Sequence, residues 1–206
     1  MMKLLIAADK SRFHNLKQFA DELVKYGIEY KLIDDSDIYD TPNIFHKYTR
    51  WFKTPKKFQK IIREFKPDAV FTERYSRFSL LVINNNIPLW IYMGGDHWTE
   101  RKQFHEITKI SIFRKIELWY KNKISEKCFR ESEIIFVDDK YMEKIIKNRF
   151  PNKKIGLMFQ GIKESEWIEN KKMILKHPCV GILQRANVWG KTEEMLILPK
   201  IIEAFP

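Results

Sequence analysis

Asp68-Ala69-Val70-Phe71-Thr72 is a short apolar run, and Pro88-Leu89-Trp90-Ile91-Tyr92-Met93 is another, starting twenty residues later. Between them Phe78, Leu81, Val82 and Ile83 recur at helical spacing, and Asn84-Asn85-Asn86 ends that pattern. Gly94-Gly95 stops the second run. Two continuous apolar strands joined by a helix form a strand–helix–strand unit, which predicts neighbouring parallel strands with the helix on one face.

The same unit repeats in both directions. Lys3–Ala8 reads as a buried strand, and a helix follows over residues 13–26 with Phe13, Leu16, Phe19, Ala20, Leu23 and Val24 on its apolar side. Gly27 ends that helix, and Glu29–Ile33 is the next strand. Pro55 opens a helix carrying Phe58, Ile61, Ile62 and Phe65, and Pro67 closes it. Downstream, Glu133–Val137 and Lys154–Phe159 read as strands around a helix at Tyr141–Arg149. The series predicts an α/β domain with a doubly wound, Rossmann-like parallel sheet. Residues 163–177 are polar and read as a linker. A further strand at Cys179–Leu183 and a helix over about residues 192–204 follow.

The chain has 206 residues, of which 44% are hydrophobic and 32% charged, and this suits a globular core. Seven Gly and eight Pro exclude collagen-like and low-complexity architectures. No apolar run approaches the roughly 20 residues of a membrane span. The N-terminus turns polar at Asp9, too early for a signal peptide. Cys128 and Cys179 make neither a disulfide framework nor a metal set, which predicts a reducing, cytoplasmic setting.

The formal net charge is +11, which attracts phosphate-bearing partners. Residues 101–130 hold nine basic side chains against three acidic ones. Ile107, Ile110, Phe113, Ile116, Trp119, Tyr120, Ile124 and Cys128 are interleaved among them at spacings of mostly three and four. They predict one apolar stripe on a basic helix. Such a stripe is either a core face or, over residues 105–131, a face lying on an anionic membrane surface.

Ligands of a doubly wound sheet sit at the carboxyl ends of its strands. That rule nominates Asp9, Lys10, Ser11, Arg12 and His14 after strand one, Glu73, Arg74, Tyr75 and Arg77 after strand three, and Gly94, Gly95, Asp96, His97 and Trp98 after strand four. Two glycines allow close backbone approach, and an Asp beside a His sets imidazole tautomer and pKa. Asp96 and His97 are therefore the catalytic candidates. Asp35 and Asp37 after strand two form a pair of the kind that holds a divalent cation, but Asp is common in turns and the segment reads as a loop. No metal site is assigned. Zinc spacing, a P-loop, a nucleophile elbow and the G-x-G-x-x-G of dinucleotide binding are all missing; Arg185 stands where a P-loop ending in Gly190-Lys191-Thr192 needs glycine.

Five segments resemble the family 4 retaining glycosyltransferases of the two-domain GT-B fold. They are Phe19–Ile33, Lys66–Phe71, Ser132–Asp138, Lys154–Ile162, and Val180–Arg185 through Gly190-Lys191. The resemblance implies that residues 1–170 are the acceptor-binding domain of the GT-B architecture. It implies that 176–206 are the first strand and helix of an incomplete donor-binding domain. The family's diphosphate-binding Arg and Lys map to Arg185 and Lys191. The implied reaction moves a sugar, with retention, from a nucleotide-sugar to an acceptor hydroxyl on a glycan or lipid-linked acceptor, with no cofactor beyond the donor itself. Ser11, His14, Glu73, Arg74, Gly94 and Gly95, nominated by the strand ends, would then bind the acceptor or another substrate. Lys10-Ser11 stands where the family has a Gly-Gly loop, and Gln160 where it has Asn. The alternative is a non-catalytic basic α/β module that binds nucleic acid or a partner chain; nucleic acid ranks behind the sugar substrates.

Overall fold

A computed structural model describes residues 1–39, 55–73, 75, 77–99, 102, 111–159, 199–200 and 203. The chain divides into two compact units, Met1–Asp96 with Ile110–Gln160, and His97–Lys109 with Gly161–Pro206. The elements below belong to the first.

They are β1 (Met2–Ala7), α1 (Phe13–Val24), β2 (Ile28–Ile33), α2 (Asp35–Ile38), α3 (Lys56–Phe65), β3 (Ala69–Thr72), α4 (Arg77–Asn84), β4 (Leu89–Met93), α5 (Ile112–Glu131), β5 (Ile134–Val137), α6 (Lys140–Arg149) and β6 (Lys154–Leu157). Six parallel strands form one sheet in the order β2-β1-β3-β4-β5-β6. The sheet is the expected one, and strand ends fall within a residue or two of those read from the sequence.

Register divides the strand residues between two faces. Leu4 pairs with Ala69, Ile6 with Phe71, Phe71 with Trp90, and Tyr92 with Phe136. These share one face, where Leu16 and Ala20 of α1 join the same core. Phe71 sits centrally there, its ring 5.7 Å from Phe19, 6.5 Å from Tyr92 and 6.1 Å from Phe136. The other face presents Leu5, Val70, Leu89, Ile91, Ile135 and Val137, all buried. Right-handed crossovers carry α3 to α6 over that second face, because the chain reverses direction across the sheet after β2. Phe58 of α3 meets Phe78 of α4 edge to face at 5.4 Å, and Phe129 of α5 stacks with Phe150 beyond α6 at 5.9 Å.

Local signals end the helices. Gly27 takes φ 76°, a conformation that costs a side chain, and turns α1 into β2. Lys66 adopts φ 51° before Pro67, closing α3. Asp34 caps α2 by accepting the N–H groups of Ser36 and Asp37, while Asp37 Oδ2 accepts the Asp34 N–H at 2.9 Å. That reciprocal capping box makes a helical turn of a segment expected to be a loop, and it engages the Asp37 carboxylate structurally.

The stripe expected on α5 is corrected. Ile124 and Cys128 are buried, but Phe113, Ile116 and Trp119 are exposed. The buried side is instead Leu118, Ile124, Ser125, Cys128 and Phe129. Burial pushes the Cys128 thiol up to about 12, so it packs as a small apolar group. Ile107 and Ile110 lie outside the described residues. No helix among the described residues is long and apolar enough to cross a membrane.

Candidate functional site

The sheet's strand order reverses at β1, whose neighbours are β2 on one side and β3 on the other. Connections therefore leave the carboxyl ends of β1 and β3 in opposite directions, and a crevice opens between them. Polar side chains gather on both lips.

On the β1 lip the chain turns through one 3₁₀ helix at Lys10–Arg12. Asp9 starts it: its Oδ1 accepts the Ser11 N–H at 3.1 Å and the Ser11 hydroxyl at 3.0 Å. The Ser11 hydroxyl thus donates inward and keeps its lone pairs for an incoming donor. His14 follows in the first turn of α1, exposed, with Nε2 at 3.2 Å from Gln18 Nε2.

On the β3 lip Glu73 leaves the strand half-buried. Arg12 Nη2 donates to Glu73 Oε1 at 3.1 Å, tying the two lips together across 61 residues of chain. A mainly exposed pair of this kind adds little stability, about 0–1 kcal/mol. Its effect is geometric, because it fixes a carboxylate at the switch point. Arg77, the first residue of α4, lies over the Tyr39 ring at 5.1 Å, close behind the carboxyl end of β2. Asp34, also after β2, is held below the usual carboxylate range by the Ser36 hydroxyl and by the Ser36 and Asp37 N–H groups, with the Lys10 charge adding to this.

Farther along the same edge Gly94, Gly95 and Asp96 follow β4, Gly94 exposed and the other two half-buried. A side-chain carbon on Gly94 would come within 3.3 Å of the Tyr92 ring. Asp138 follows β5, and its Oδ1 is buried without a hydrogen-bond partner. A buried acceptor left unpaired is costly, and a ligand donor would relieve it.

The sequence candidates therefore divide. Ser11 and His14 follow β1 and Glu73 follows β3, on the two sides of the switch point, and Gly94, Gly95 and Asp96 follow β4 on the same edge of the sheet. His97 is buried in the second unit, in a helical turn at residues 97–99, with its ring 4.0 Å from that of Trp98. Arg74, Arg185 and Lys191 lie outside the described residues. Arg12 was nominated as a strand-end residue but had no sequence signal for its partner 61 positions away. One residue was missed. Asp138 closes an apolar run and looks like any turn aspartate. Among the described residues no group of three His, Cys, Asp or Glu is placed to hold a metal ion.

No protein-family model matches the chain. No curated protein matches it either. Among solved structures it is similar to a UDP-glycosyltransferase of Glycyrrhiza uralensis in complex with glycyrrhetinic acid 3-O-monoglucuronide, with a TM-score of 0.40 and 14% identity over 74% of this chain and 41% of that one. The chain thus spans about two-fifths of that protein's length, at 41%.

Proposed function

We propose that this chain is the acceptor-binding part of a glycosyltransferase of GT-B architecture, related to the retaining family 4 enzymes that its sequence resembles. Residues 1–170 form the acceptor-binding domain, and 176–206 begin the donor-binding domain. The reaction moves a sugar from a nucleotide-sugar to an acceptor hydroxyl. Arg185 and Lys191 neutralise the leaving diphosphate, whose charge grows as the glycosidic bond breaks. His97 orients the sugar or the acceptor, and Asp96, its neighbour in the chain, is the second catalytic candidate of this reading.

The observation that carries this reading is the Arg12–Glu73 pair across the β1/β3 switch point, beside the Asp9–Ser11 turn. Sugars are recognised by fixed carboxylates and hydroxyls that accept and donate to their own hydroxyls, and this crevice offers both on rigid strand ends. Calorimetric titration of the protein with uridine, guanosine and adenosine diphosphate sugars, with and without a mixture of acceptor saccharides, tests it. At least one combination is expected to bind, and Glu73→Gln or Arg12→Ala to weaken it by about tenfold or more, the cost of one charged hydrogen bond. Steeply salt-dependent binding of any oligonucleotide, with no response to sugars, would replace the reading with the nucleic-acid module.

A further inference from the structure

One side of α5 exposes a run of large apolar side chains. Ile112, Phe113, Ile116, Trp119 and Tyr120 all point outward, with Phe113 81% and Trp119 59% exposed. On a helical projection these five cluster around one direction, and the buried Leu118, Ser125, Cys128 and Phe129 lie opposite. The outward stripe continues with Lys123, Lys127 and Arg130. Lys123 Nζ lies 5.8 Å from the Trp119 ring centre. The helix's acidic side chains are each engaged: Glu117 with Lys121, Glu126 with Arg149, and Glu131 with Lys127. Lys115, Lys123 and Arg130 have no carboxylate partner among the described residues.

We infer that this face of α5 lies on an anionic lipid surface. Phe113, Ile116 and Trp119 enter the headgroup boundary, and Lys115, Lys123 and Arg130 meet lipid phosphates. The residue types fit: Trp and Tyr have an apolar body and a polar tip, as the water–lipid boundary requires, and flanking cations gain from anionic headgroups. Charge selects the occupant. A second copy of the chain would bring the same unpaired cations against themselves, in a protein already at +11. An anionic bilayer neutralises them. This inference stands apart from glycosyl transfer, because vesicle binding needs no sugar nucleotide.

Co-sedimentation of the full chain tests it, with phosphatidylcholine vesicles that contain either no anionic lipid or roughly one-third phosphatidylglycerol. The protein is expected to pellet with the anionic vesicles and to be released by salt. Phe113→Ser with Trp119→Ser should lower the partition coefficient at least tenfold while leaving the circular dichroism spectrum unchanged, since both side chains are exposed. Lys115→Gln with Lys123→Gln should lower it by roughly 25-fold, about fivefold per cation. The matched pair Lys31→Gln with Lys56→Gln, exposed and outside α5, should change it far less. The inference is overturned if the wild-type protein ignores anionic vesicles, or if all three double variants bind alike. It is equally overturned if sedimentation velocity shows a dimer that the Phe113/Trp119 variant loses while no vesicle is bound.

Discussion

One methyl group at position 156 would test how the sheet is packed. Gly156 of β6 pairs with Phe136 of β5, and a Cβ there would lie 2.7 Å from both Cδ1 and Cε1 of the Phe136 ring. That ring also packs on Phe71 and Trp90, each 6.1 Å away centre to centre, so it cannot withdraw freely. Gly156→Ala should cost about 1–3 kcal/mol, read as a lowered urea midpoint with unchanged slope, and Phe136→Leu should recover part of it in the double variant. Nothing in Lys154–Phe159 marks this glycine as a packing requirement, because the clash is with another strand. The Arg12–Glu73 contact was hidden for the same reason. Sequence shows which residues end a strand but not which residue across the crevice each one meets.

At the scale of the element, α5 departs most from expectation. The residues at 116, 120, 124 and 128 suggested a single stripe, but steps of four advance 40° each around a helix of 3.6 residues per turn. Such a series winds from one side of the helix toward the other. Apolar side chains therefore occupy opposite sides of α5, with Ile112, Phe113, Ile116, Trp119 and Tyr120 outward and Leu118, Ile124, Cys128 and Phe129 inward. Periodicity alone gives no phase when both sides are apolar. The consequence is measurable by denaturant unfolding. Ile124→Ala and Phe129→Ala remove buried side chains and should each cost about 2–5 kcal/mol. Phe113→Ala and Trp119→Ala remove exposed ones and should stay within about 0.5 kcal/mol. The other elements were easier to read. α3 lies between Pro55 and Lys66-Pro67, and α1 stops before Gly27, because those residues act on their own backbone.

For the whole molecule, alternation of strand and helix was enough to give a parallel sheet, since parallel strands need crossovers and crossovers have one hand. The strand order was not legible, because nothing local says that β3 lies beside β1 rather than beyond β2. That order creates the switch point, and with it the candidate site. Ser11, His14 and Glu73 were nominated by the carboxyl-end rule alone, whereas Asp138 needed the burial of its oxygen to stand out. In the function proposed above, the carboxyl edge between β1 and β3 receives the substrates of sugar transfer. Amide hydrogen exchange of the protein with nucleotide-sugars and acceptor saccharides, alone and combined, tests it most directly. Exchange should slow at residues 9–14 and 72–78 and stay unchanged along the outer strand β2. Unchanged exchange at 9–14 and 72–78 with every combination, or slowing confined to the amino-terminal edge of the sheet, would contradict it.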